Sequence, residues 1–202
     1  MATHFQLEDQ DSHRLLRLTS ADGTNRLSAS CVLALTEAVL AMRSTAKPLV
    51  ITGGTKFFSA GADLAEIQVL TGHSALAFAR MGQRLMTAIA QYPAPVHAAI
   101  SGYCMGGGLD LALACHRRIA SPHAIFGHRG AALGLMTGWG GTQRLPQIIG
   151  KGRALALFVA AEKLHAREAL EMGLVNAIAE DPVAEAARRT ENCVSADPLF
   201  FQ

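Results

Sequence analysis

The sequence predicts an α/β protein with a mainly parallel sheet. Three observations carry this: short branched apolar runs alternate with longer amphipathic segments, the order is repeatedly strand then helix, and two strand-to-helix junctions are rich in glycine. That order implies right-handed crossovers between parallel strands. Glycine-rich junctions at strand ends are where open α/β sheets place ligands.

Residues 14–19 alternate well enough for a strand, and Leu33, Leu35, Val39, Leu40 and Met42 mark an apolar helical stripe. Residues 48–52 read as a buried strand because the run is short, branched and ended by Gly53-Gly54. A helix begins after Gly61. A longer one spans about 74–90, carrying Leu76, Met81, Leu85, Met86 and Ile89, and stops before Pro93 and Pro95. Residues 96–100 form another short strand, after which Gly102 to Gly108 lead into a helix over 109–114. Segments 118–121 and 124–126 read as short strands. Segments 139–149, 152–161 and 166–172 read as helices, 174–178 as an extended piece and 183–194 as a last helix.

Half of the 202 residues are apolar and 19 are glycine, which favours a compact fold over disorder. The length suits one domain with a substantial core. Formal charge is only +2, from 18 basic and 16 acidic residues, so no electrostatic case for a nucleic-acid partner arises. Cys31, Cys104, Cys115 and Cys193 are scattered and read as reduced structural thiols. The stretch Met1-Ala2-Thr3-His4-Phe5-Gln6-Leu7-Glu8-Asp9 has neither a basic nor an apolar segment, so no signal peptide or membrane insertion is expected, and a cytoplasmic location is.

The first junction is Phe58-Ser59-Ala60-Gly61-Ala62-Asp63-Leu64-Ala65-Glu66. Gly61 permits a backbone conformation closed to other residues, and Ala62 is small enough for another group to approach its N–H. Asp63 and Glu66 have the offset of a capping box, with Asp63 receiving helix N–H groups and Glu66 reaching back. The second junction is Ser101-Gly102-Tyr103-Cys104-Met105-Gly106-Gly107-Gly108-Leu109-Asp110. Three glycines before a helix cost folding entropy and supply no side-chain packing, so a ligand or a neighbouring backbone must come close. N–H groups at a helix start attract negative charge, including charge developing on a thioester oxygen. Neither junction has the spacing of a P-loop or a dinucleotide-binding turn.

These motifs resemble the enoyl-CoA hydratase/isomerase, or crotonase, family. The resemblance is carried by Ile51-Thr52-Gly53, by Phe58-Ser59-Ala60-Gly61-Ala62-Asp63-Leu64, and by Ser101-Gly102-Tyr103 with Gly106-Gly107-Gly108. Gly140-Gly141-Thr142-Gln143-Arg144-Leu145-Pro146 and Ala169 with Gly173-Leu174-Val175 extend it downstream, from about residue 14 to about 194. It implies a crotonase-like ββα spiral with surrounding helices, assembled as a homotrimer or hexamer. It implies one acyl-CoA-binding domain over 1–194, followed by a short tail over 195–202 where family members usually continue with further helices.

The resemblance also implies roles for particular residues. Backbone N–H groups of Ala62 and Gly107 would form an oxyanion hole for a thioester enolate, each donor being worth about 2.7–4 kcal/mol in the transition state. The main chain around Ala60, Asp63 and Leu64 would meet the adenine end of coenzyme A, which enters as part of the substrate, with no separate cofactor required. Of the two glutamates of a typical hydratase, the first corresponds to Asp110 and the second falls on Gly130, within Phe126-Gly127-His128-Arg129-Gly130. Loss of a positioned acid/base group typically costs about 10²–10⁴ in rate, while an oxyanion hole would remain. Asp110 therefore reads either as a lone base or water-positioning group, or as a carboxylate stabilising a helix start. Gly130 reads as room for a bulky acyl group, an external anion or water.

His128 and Arg129 beside it are candidates for exchanging a proton and for holding an anionic acyl group or a coenzyme A phosphate. The plainer expectation is a solvent-facing loop pair. Trp139 reads as sheet packing or as a wall of the acyl pocket. Gly138 stands where some relatives with isomerase or dehalogenase chemistry carry a carboxylate. Arg144 reads as a local charge or cap partner, and His97 as a core residue. His116, His123 and His128 lack a ligand frame, so no metal site is expected. Cys104, Ser59 and Ser101 have no histidine at a defined spacing that would make them nucleophiles.

The leading expectation is 2-enoyl-CoA hydration. Hydrolysis, decarboxylation or isomerisation of a CoA thioester, and a non-catalytic acyl-CoA-binding role, stand as alternatives.

Overall fold

The computed structural model describes residues 4–194, with side chains as far as Thr190. The tail over 195–202 and the Cys193 thiol lie outside the described residues. Strands β1 (Phe5–Asp9), β2 (Arg14–Leu18) and β3 (Arg26–Leu27) lead to helix α1 (Ala29–Ala41). Then come β4 (Leu49–Thr52), β5 (Phe57–Ser59), β6 (Gly61–Ala62), α2 (Leu64–Gln68) and α3 (Gly72–Ala90). The next turn is β7 (Val96–Ile100), β8 (Tyr103–Met105) and α4 (Gly107–Ala114), and the one after it β9 (Arg117–Ala120), β10 (Ile125–Gly127) and α5 (Gly141–Ile149). The chain continues through α6 (Lys151–Ala160), β11 (Leu164–His165), α7 (Ala166–Glu171), β12 (Ala177–Ile178) and α8 (Pro182–Val194).

Three successive turns thus place one strand in a first sheet, the next in a second, and then a helix. The first sheet has the order β1-β2-β4-β7-β9-β12, and the second β11-β10-β8-β5, while β3 and β6 pair separately. In the first sheet every neighbouring pair except β1–β2 is parallel, as the strand-then-helix order predicts.

Alternation along the central strands splits the interior in two. Val96, Ala98 and Ile100 of β7 face the main core with Leu49 and Ile51 of β4, whereas Ala99 and Val50 face a smaller core with Leu15, Ile119 and Ala186 of α8. His97 points the same way as Ala99 and donates from Nδ1 to the Ala186 carbonyl at 3.2 Å, so its core placement holds. Burial lowers its pKa to about 4, which leaves it neutral. Burial likewise pushes the Cys115 thiol up to about 12.

Several expectations shift. Strand β1 carries no sequence signal because it is an edge strand with most of its residues exposed. Strand β8 lies inside what reads as a glycine loop, since its three residues become a strand only by pairing with β5 and β10. The helix expected from 139 starts at Gly141, because Gly140 is left-handed at φ 104°. Only Ala177–Ile178 of the expected extended piece 174–178 is strand; Leu174 and Val175 both donate to the Ala169 carbonyl and close helix α7.

The capping box at Asp63 and Glu66 is half right. Asp63 caps α2 by accepting from the Ala65 N–H at 3.0 Å. Glu66 turns instead to the start of α1, where its Oε2 accepts the Ala29 N–H at 2.7 Å. The free N–H groups of a helix start in space outcompete the local one, and the two helix starts are tied together.

Candidate active site

The two glycine-rich junctions come together. Gly61 is left-handed at φ 95°, and a Cβ added there would lie 3.0 Å from the Gly107 nitrogen and 2.6 Å from the Met105 carbonyl oxygen. A Cβ added at Gly107 would lie 3.2 Å from the Ala62 nitrogen. Glycine is required at 61 by backbone approaching backbone, and at 107 first by the Trp139 ring, 2.6 Å from that Cβ. Gly107 is the first residue of α4, so its N–H has no acceptor within the helix.

Ala62 and Gly107 both line a cavity of about 310 Å³. Ala60, Leu64, Asp110, His128, Arg129, Gly130 and Trp139 also line it. Asp63 does not, its carboxylate being committed to the α2 cap. The remaining wall is largely apolar, from Ile67, Leu70, Phe78, Leu133, Leu135 and Met136. Such a cleft, with a few convergent polar groups in an apolar wall, is the usual form of a small-molecule site.

Asp110 sits on the first turn of α4 and is 1% exposed. Its Oδ2 accepts the Thr137 hydroxyl, while its Oδ1 lies 3.2 Å from His128 Nε2. That separation is an ion-pair distance, but the two atoms are not aligned as a hydrogen bond, and neither has another hydrogen-bond partner. Gly141 makes room for the pair: a Cβ there would lie 2.1 Å from Asp110 Oδ1 and 3.0 Å from His128 Nε2.

His128 overturns the expectation of a solvent-facing pair. It follows directly on β10, is 5% exposed, and its ring lies 5.1 Å from that of Phe158 on α6. Arg129 alone faces solvent, at the cavity rim. Gly130 is also different from an open slot. The Leu133 and Leu135 N–H groups both donate to its carbonyl at 2.8 Å, and a Cβ would lie 2.6 Å from the Leu135 oxygen, so the chain's own turn fills that direction.

Trp139 packs between helices α3 and α4 rather than against the sheet, and it also walls the cavity. It is 3% exposed, donates from its indole N–H to the Phe78 carbonyl at 3.2 Å, and still lines the cavity beside Gly107. Arg144 is a local partner, donating to the Trp139 carbonyl at 3.3 Å. Cys104 is fully buried and does not line the cavity, and its thiol is pushed well above the ordinary range by desolvation. The Ser59 hydroxyl donates to the Asn25 carbonyl and accepts from Gly61, which occupies it structurally. Among the described residues no cluster of three or more metal-ligating side chains occurs. Thr137 and Gly141 are the site residues that sequence reasoning missed; the one signal was a threonine set among Leu135, Met136 and Gly138.

Fold and site together define an α/β protein whose largely apolar pocket converges on main-chain nitrogens and one buried carboxylate. Residues 10–199 match the family model described as enoyl-CoA hydratase/isomerase, and the chain belongs to that family. It is 38% identical over 177 residues to the crotonyl-CoA hydratase of Syntrophomonas wolfei subsp. wolfei (strain DSM 2245B / Goettingen), a match covering 86% of this chain and 68% of that one. It is 44% identical over 136 residues to the probable enoyl-CoA hydratase of Bacillus subtilis (strain 168), covering 67% of this chain and 53% of that relative. The crystal structure of an enoyl-CoA hydratase from Bacillus anthracis superposes with a TM-score of 0.90 at 32% identity, covering 97% of this chain and 78% of that one. The crotonase fold implied by the sequence motifs is therefore the fold of this chain.

Proposed function

We propose that the chain adds water to a 2-enoyl-CoA thioester. The observation that carries this reading is the buried Asp110 carboxylate in the same cavity as the paired Ala62 and Gly107 nitrogens. The two N–H groups hold the thioester oxygen as negative charge builds on it, and Asp110 takes a proton from the attacking water. Kinship with proteins named crotonyl-CoA hydratase and enoyl-CoA hydratase supports the same reaction class.

Ala60 and Leu64, on the wall next to Ala62, are assigned to the coenzyme A end of the substrate, with Asp63 contributing main chain only. Arg129 at the rim is assigned to a coenzyme A phosphate or an anionic acyl group, and the apolar wall to the acyl chain. No cofactor beyond the substrate's own coenzyme A is required. Assembly as a homotrimer or hexamer is part of the same reading, supported by Leu155 and Val159, exposed four residues apart on α6. A cytoplasmic location belongs to it too; among the described residues no helix is long and apolar enough to cross a membrane.

The test is incubation of the purified protein with short and medium 2-enoyl-CoAs and mass analysis of the products. A gain of one water, lost in Asp110→Ala, is the expected result. Carbon dioxide loss, thioester cleavage, an unchanged mass with a moved double bond, or binding without turnover would each replace hydration by the corresponding reading.

A further inference from the structure

Asp110 and His128 are a buried carboxylate and a buried imidazole whose facing atoms lack any aligned hydrogen bond. Leaving such atoms without an aligned partner is destabilising. Thr137 commits one oxygen of Asp110, and the Phe158 ring packs at a tilt against His128, so both side chains are held in place while the facing atoms stay without an aligned bond. Gly141 keeps the space beside both atoms clear, and both residues line the cavity. Buried polar atoms left in this state beside a pocket point to a ligand that completes them.

We infer that His128 is the second proton-exchanging group of the site, working with Asp110 where a second carboxylate is absent. This rests on the hydration reading. The Asp110 carboxylate accepts a proton from water as the water oxygen bonds to C3 of the enoyl group. The C2=C3 π pair moves toward the thioester, whose oxygen takes up the charge beside Ala62 and Gly107. The enolate then re-forms its carbonyl as C2 takes the proton from the His128 imidazolium Nε2. The proton now on Asp110 passes to the neutral imidazole, 3.2 Å away, once the two atoms turn into line, and restores the starting pair. One C–O and one C–H bond are formed, one water is consumed, and nothing is oxidised overall.

The starting state therefore needs Asp110 ionised and His128 protonated, which gives the rate both an acid and an alkaline limb. The groups around the imidazole are Asp110 on α4, the neighbouring exposed Arg129, the uncharged ring of Phe158 on α6 and the Thr137 hydroxyl across Asp110. Of these, only Asp110 is a charged side chain in direct contact with the ring.

The experiment measures pH profiles of crotonyl-CoA hydration for the wild type and His128→Gln, with the His128 imidazole of the wild type titrated by NMR. Expected are a kcat lower by about 10²–10⁴ in the variant, a KM changed only a few-fold, loss of the alkaline limb, and an imidazole midpoint in the free enzyme matching the alkaline limb of wild-type kcat/KM. The NMR arm needs no variant to fold. A variant that keeps the alkaline limb at near wild-type rate, or an imidazole midpoint apart from that limb, overturns the role of His128 alone. A wild type that hydrates no 2-enoyl-CoA of any length overturns the hydration reading and this inference with it.

Discussion

The indole of Trp139 occupies the space in front of Gly82: a Cβ added to that glycine would lie 2.2 Å from both Cδ1 and Nε1 of the ring. The same ring lies 2.6 Å from where a Cβ at Gly107 would stand, so one aromatic side chain is wedged between α3 and the start of α4. Gly82→Ala is expected to destabilise the protein by about 1–3 kcal/mol through overpacking. Gly72→Ala in the same helix, where an added Cβ meets nothing within 4 Å, should be neutral or stabilising by up to about 1 kcal/mol. Urea midpoints at constant slope would separate the two.

Gly107→Ala places its methyl against Trp139 and beside the Ala62 nitrogen. The main chain at the start of α4 must then move, and with it the N–H assigned to the thioester oxygen. Turnover is expected to fall by about 10²–10³. Steady-state kinetics should show the loss in kcat more than in KM, with the far-ultraviolet circular dichroism of the wild type retained.

Gly130→Glu will not restore a two-carboxylate site. Its Cβ would meet the Leu135 carbonyl oxygen at 2.6 Å, and that turn is closed by two hydrogen bonds to the Gly130 carbonyl. The expected outcome is a thermal midpoint below that of the wild type and hydration no faster than it. A gain in rate would show that the turn yields at little cost.

His97 makes stability depend on pH. Its folded pKa is about 4 against an ordinary value of 6.5, so the unfolded chain binds the extra proton between those values. The stabilisation is full above about pH 6.5 and is lost as pH falls toward 4, amounting to about 3 kcal/mol. His97→Gln keeps a donor for the Ala186 carbonyl and removes the titration. Its denaturation free energy should fall less steeply between pH 6.5 and 4 than that of the wild type.

What could be read from the chain follows from how local each signal is. Val96–Ile100 stands out because a strand buried on both faces is a near-continuous apolar run, broken here only by His97, and residues 74–90 because a helix writes its period into the sequence. The meeting of Ala62 with Gly107 was legible as two glycine-rich junctions, through their resemblance to a known pattern. The destination of Glu66 was not, since its partner Ala29 lies 37 residues away. The burial of His128 was hidden for the same reason, as it requires β10, α4 and α6 to close around one ring. Gly130 illustrates the limit most clearly: a missing side chain reads as space, yet the turn to Leu135 fills it.

The division of the interior by the first sheet has a practical reach. Leu15, Val50, Ala99, Ile119 and Ala186 form their own small core on the α8 side, while Ala62, Leu109 and Trp139 belong to the core on the other. A full sheet therefore works as a bulkhead between the part of the molecule that does chemistry and a part that only sets its endurance. Repacking behind that bulkhead offers a way to retune heat tolerance while leaving substrate preference alone.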